Sequence, residues 1–97
     1  MNIGACIVKF RLPENGSLKG KRQVAKSLIE RVKNRFNVSI AEVEDNDRWR
    51  TLSLGITCVS TSGPHANEML SKVVDFIQNS KFDVELLDYE IEIIHAF

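Results

Sequence analysis

The chain is predicted to fold as an α+β, two-layer ferredoxin-like βαββαβ sandwich: a four-stranded antiparallel sheet with two helices on one face. Three observations predict it. Four segments alternate apolar and polar residues, two segments carry one apolar stripe of helical period, and clusters of Gly, Pro, Asn and Asp mark most of the joints. Helices with a single stripe and strands with a single apolar face bury each other in two layers, and no third layer is needed. Right-handed crossovers then bring both helices to the same face of the sheet. With 97 residues, 1–97 make a single domain.

Ile3 to Leu12 alternates as a strand, with Cys6, Val8, Phe10 and Leu12 on one face and Ala5, Ile7, Lys9 and Arg11 on the other. Pro13-Glu14-Asn15-Gly16 is a turn signal, and Ser17 stands where a helix cap is wanted. In the following helix Val24, Ala25, Leu28, Ile29, Val32 and Phe36 share one arc, and Asn37 ends it. Gly20 in the first turn costs about 1 kcal/mol against alanine, so the helix can begin a few residues later. Val38 to Glu44 reads as a second strand and Asp45-Asn46-Asp47-Arg48 as a hairpin loop. Thr51 to Thr61 is the third strand, with Leu52, Leu54, Ile56 and Cys58 on one face. Ser62-Gly63-Pro64 opens a second helix striped by Met69, Leu70, Val73, Val74 and Ile77. Phe82 to His95 is the last strand, with Leu87, Tyr89, Ile91 and Ile93 alternating against Asp88, Glu90 and Glu92.

Hydrophobic residues at 43% and charged residues at 27% are ordinary for a globular domain. No apolar run is long enough for a bilayer span or an export signal, so a cytoplasmic protein with no membrane partner is expected. Cys6 and Cys58 are too few for a disulfide framework or a zinc site and sit in apolar alternating runs. They are expected as buried, inert thiols on adjacent strands.

The net charge of zero hides an asymmetry. Lys19 to Arg35 holds seven bases and one acid, whereas Asp83 to Glu92 holds five acids and no base. Such a chain can show a basic face to a polyanion, or stay solvated, or meet its own acidic side in a dimer.

The stretch from Ser17 to Gly55 carries Ser-Leu-Lys-Gly-Lys-Arg (17–22), Arg-Phe-Asn-Val-Ser (35–39), Ala-Glu-Val (41–43), Asp-Arg-Trp (47–49) and Leu-Gly (54–55). In these motifs it resembles the YlxP family of small bacterial proteins, with Gly20 as the one departure. The resemblance implies a ferredoxin-like fold and a gene neighbourhood of translation and ribosome-maturation factors. The partner it implies is ribosomal RNA or a ribosomal subunit.

The candidate anion- or RNA-binding residues are Ser17, Lys19, Lys21, Arg22, Lys26 and Lys33, around the start and one flank of the first helix. Free N–H groups and the helix dipole attract anions there, and cations crowded at that end are mildly unfavourable without one. Lys21 falls toward the apolar arc, so it is also read as one half of a structural ion pair. Glu42 and Asp47 are available to hold Arg48, Arg50 or a cation of the first helix. Trp49, the only tryptophan, either stacks on a base or anchors an interface, or else closes the end of the core.

RNA readout on the open sheet face is not expected, because neither central strand places an aromatic there. Lys9 and Arg11 are expected to face Glu90 and Glu92 instead. No enzyme is expected, and no cofactor or metal. His65 and His95 have no Ser or Cys partner visible in the sequence, and no phosphate loop appears. The alternative to anion binding is a homodimeric interaction domain that uses Ile7, Val59 and Ile94 on the open face.

Overall fold

A computed structural model of the chain describes residues 1–12, 18–44, 51–81 and 84–97. The elements run β1 (Asn2–Arg11), α1 (Leu18–Arg35), β2 (Ser39–Glu42), β3 (Thr51–Ser60), α2 (Gly63–Gln78) and β4 (Glu85–His95). The strands form one antiparallel sheet in the order β2-β3-β1-β4, as the βαββαβ reading requires.

Alternation puts Cys6, Val8 and Phe10 of β1 and Leu52, Leu54, Ile56 and Cys58 of β3 on one face, where all are buried. The stripes of the helices cover them: Ala25, Leu28 and Val32 from α1, and Ala66, Leu70, Val73, Val74 and Ile77 from α2. Gly4 lies under α2. A Cβ there would come 2.8 Å from Leu70 Cδ1, 3.0 Å from Cys58 Sγ and 3.3 Å from Ala66 Cβ, so a larger residue would have to displace the Leu70 side chain. The helices are also joined at one end, where Phe36 and Phe76 pack edge to face with centroids 5.5 Å apart. The Arg35 guanidinium lies 5.1 Å from the Phe76 ring centroid.

α1 includes Gly20, so the helix starts in spite of the glycine and not after it. It ends at Arg35, and Phe36 N–H still reaches Val32 O at 2.8 Å. β2 is shorter than Val38 to Glu44. Its ladder closes at Glu42 opposite Leu54, and one further bond, from Val43 N–H to Ser53 O at 3.1 Å, follows. Glu44 then turns toward Lys9 of the central strand, 3.6 Å away, and leaves the edge.

β4 departs from the expected alternation as well. Lys9 lies opposite Asp88 but Phe10 lies opposite Leu86, so a bulge absorbs Leu87 and switches the parity of the strand. Leu86 takes the core-facing place expected of Leu87, which is exposed. The same register sets Glu90 opposite Ile7 and Glu92 opposite Ala5. Lys9 therefore pairs with Glu44 and Arg11 with Glu85 (3.7 Å), not with Glu90 and Glu92. Among the described residues no helix is long and apolar enough to cross a membrane.

Candidate anion-binding groove

α1 packs against β2 at one edge of the sheet, while α2 covers β1, β3 and β4. On a helix of 3.6 residues per turn, positions 22, 26 and 33 fall within about 40° of one another, beside the buried arc. Their side chains follow suit. Arg22, Lys26 and Lys33 line a shallow, open groove of about 370 Å³ together with Ala25 and Ile29 of the helix. Glu30 and Glu42 contribute two carboxylates to the same lining. Over the length of the groove the cations span about 16 Å at the helical rise.

Lys19 is exposed on α1 but does not line the groove. Ser17 and Trp49, like Asp45 to Arg48, lie outside the described residues. Lys21 is the residue that separates from the set. Only 3% of it is exposed, and its Nζ lies 3.4 Å from Glu42 Oε1 on β2. An ammonium withdrawn from water in this way is held by its own fold, so Lys21 is not carried forward as a ligand for an outside anion. The structural reading of Glu42 as a holder of a first-helix cation is the one the geometry shows.

The histidine reading needs correction. His65 does have a serine partner: its Nδ1 lies 2.9 Å from Ser60 Oγ. Ser60 Oγ also accepts the Ser62 N–H at 3.1 Å, and Ser62 Oγ accepts the His65 N–H at 3.3 Å. Together these bonds shape the strand-to-helix turn and cap α2, which explains them without chemistry. The five-residue separation of Ser60 and His65 crosses a turn, so the contact depended on a turn conformation that periodicity does not supply.

Both cysteines are free and buried, and both face the helices. Burial pushes the Cys6 thiol up from its ordinary 9.0 to about 11. Burial raises Cys58 too, opposed by a backbone hydrogen bond from Gly4. Cys58 Sγ lies 3.8 Å from Ala66 O of α2. Neither environment makes a thiolate, the form in which cysteine reacts.

A family profile described as "Protein of unknown function (DUF503)" matches residues 3–91. The chain is 45% identical over 77 residues to the uncharacterized protein YlxP of Bacillus subtilis (strain 168), a match covering 79% of this chain and 84% of that one. Among solved structures, the de novo designed protein Foldit4 aligns over the whole of both chains with a TM-score of 0.54 and 12% identity, a likeness of fold alone. A mutant of SnoaB, a cofactor-independent oxygenase from Streptomyces nogalater, aligns with a TM-score of 0.49 at 9% identity, covering 97% of this chain and 92% of that one.

Proposed function

The chain belongs to the DUF503 family, and because that family is described only as of unknown function, we propose from the chain's own geometry that it is a non-enzymatic binding module for RNA. In this reading the α1–β2 groove receives the phosphate backbone, and a ribosomal RNA is the polyanion taken for the test. One observation carries the reading: Arg22, Lys26 and Lys33 converge on a single groove, while Lys21 is withdrawn into an ion pair. Phosphate contacts of this kind position a nucleic acid without reading its sequence. The apolar floor of Ala25 and Ile29 leaves room for the nonpolar face of a sugar or base.

The test is the salt dependence of binding to a labelled ribosomal RNA fragment. Three phosphate contacts predict a log–log slope between about −2.1 and −2.7, or about a 20- to 40-fold loss between about 50 and about 200 mM salt. Replacing Arg22, Lys26 and Lys33 together by glutamine should abolish most of that slope, about one unit per lost contact. An unchanged slope in the folded triple variant refutes the groove, and co-sedimentation with ribosomal subunits then decides whether RNA is met elsewhere.

A further inference from the structure

The groove between α1 and β2 holds two carboxylates beside its cations, although a carboxylate repels a phosphate. The two stand in different places. Ala25 is buried against the sheet, and on a helix the three cations lie about 60° to 100° round from it and Glu30 about 140°. From the strand outward the groove therefore runs through the apolar floor of Ala25 and Ile29, then the cations, then Glu30 at the outer rim. Glu42 belongs to β2 and forms the wall on the strand side of that floor.

Their partners differ too. Among the described residues no ion pair holds Arg22, Lys26, Lys33 or Glu30. Glu42 is held by Lys21, whose buried ammonium lies 3.4 Å from its Oε1. That ammonium offsets the charge of the wall, so the carboxylate stands close to a phosphate site with little net repulsion. Lys21 does not exhaust it, since a carboxylate offers about four lone-pair sites and the Glu42 side chain is 38% exposed.

A base resting on the apolar floor, with its phosphates on the cations, turns its edge toward Glu42. Guanine alone among the RNA bases carries two adjacent donors, N1–H and N2–H, on its Watson–Crick edge, and a carboxylate accepts them as a parallel pair. Adenine and cytosine set one donor beside a ring-nitrogen acceptor, and uracil sets one donor between two carbonyls. Each of these three turns an acceptor against the carboxylate.

We propose that the α1–β2 groove selects an unpaired guanine of RNA, its Watson–Crick edge on Glu42 and its flanking phosphates on Arg22, Lys26 and Lys33. The guanine is unpaired because a duplex already occupies that edge. The proposal rests on the RNA reading of the groove and adds a base preference to it.

Fluorescence anisotropy with labelled UUUGUUU, UUUAUUU, UUUCUUU and UUUUUUU at about 50 mM salt makes the test. The guanine strand should bind at least about fivefold more tightly than the other three, the lower end of what a bidentate base contact discriminates. Inosine in its place keeps N1–H but lacks the N2 amino group, and should lose most of that margin. Glu42→Gln should level the four strands and keep the salt slope, because no phosphate contact is removed. Should Glu42→Gln strand the Lys21 charge and fail to fold, Lys21→Met alone should keep a guanine preference and Lys21→Met with Glu42→Gln should lose it. Glu30→Gln should tighten all four strands alike. Equal binding of the four strands with the salt slope intact overturns the guanine site and leaves the groove standing. So does a guanine preference that survives loss of the Glu42 carboxylate, or one that vanishes in Glu30→Gln. Failure of every strand to bind in a salt-dependent way overturns the groove, and the guanine site with it.

Discussion

Lys21 Nζ and Glu42 Oε1 lie 3.4 Å apart, one side chain sealed under α1 and the other open to water at the β2 edge. The pair ties the first helix to the short edge strand, which has only four residues of ladder to hold it. Lys21→Ala should cost about 2 kcal/mol, from the packing of the buried stem and the loss of the bond. Lys21→Met keeps the volume and should recover at least half, because a buried pair exchanged for apolar packing is often near neutral. Urea unfolding with an unchanged m value reads both. Equal losses in the two variants would show that the charge, not the stem, holds the site.

Gly55 sits beneath Val43, and a Cβ built on it would come within 2.4 Å of Val43 Cγ1. Gly55→Ala is therefore expected to destabilise by about 1–3 kcal/mol through overpacking. In a Val43→Ala background the same change should cost far less, since the obstructing methyl is gone. A double-mutant cycle measures that difference, and additive losses would disprove the contact.

The Cys6 thiol, pushed up to about 11, makes alkaline stability its reporter. The folded protein holds this proton more tightly than the unfolded chain, which loses it near pH 9. Stability from this group is complete below pH 9 and falls as pH rises from about 9 toward 11. Cys6→Ala should flatten that fall in a urea titration series. At pH 8 both native thiols should label with a polar reagent only as fast as the protein opens, and rapid labelling of the folded state would contradict their burial.

Ser62 caps α2 through its bond to the His65 N–H. Ser62→Ala should cost about 1 kcal/mol, and Ser62→Asp much less, because a carboxylate both caps and favours the helix dipole. Thermal melts of the two variants order them. The reverse order would put the stabilisation in the turn and not in the cap.

Much of this architecture is legible in periodicity alone. Cys6, Val8 and Phe10 alternate without ambiguity, and Lys21 stands four residues before Ala25 and seven before Leu28, on the buried arc. The groove cations Arg22, Lys26 and Lys33 follow from the same angular arithmetic. What periodicity misses are the features decided by a neighbour. Leu86 and Leu87 are both leucine, so either parity satisfies the pattern of β4, and only pairing with Phe10 selects Leu86. The partner of Lys9 is Glu44, thirty-five positions away, brought there by the chain leaving a short edge strand. The Ser60–His65 bond waits on the turn between them.

The place of β1 in the sheet has a consequence during synthesis. It leaves the ribosome before every other strand, yet it is central, with β3 and β4 as its two neighbours. Its second neighbour begins only at Glu85, so at about 5–20 residues per second β1 waits roughly 4 to 15 seconds for it. Through that interval Val8 and Phe10, which the finished sheet buries, have at most one strand beside them. A nascent chain stalled before β4 should accordingly recruit holding chaperones and resist compaction, whereas one stalled with β4 outside the exit tunnel should not.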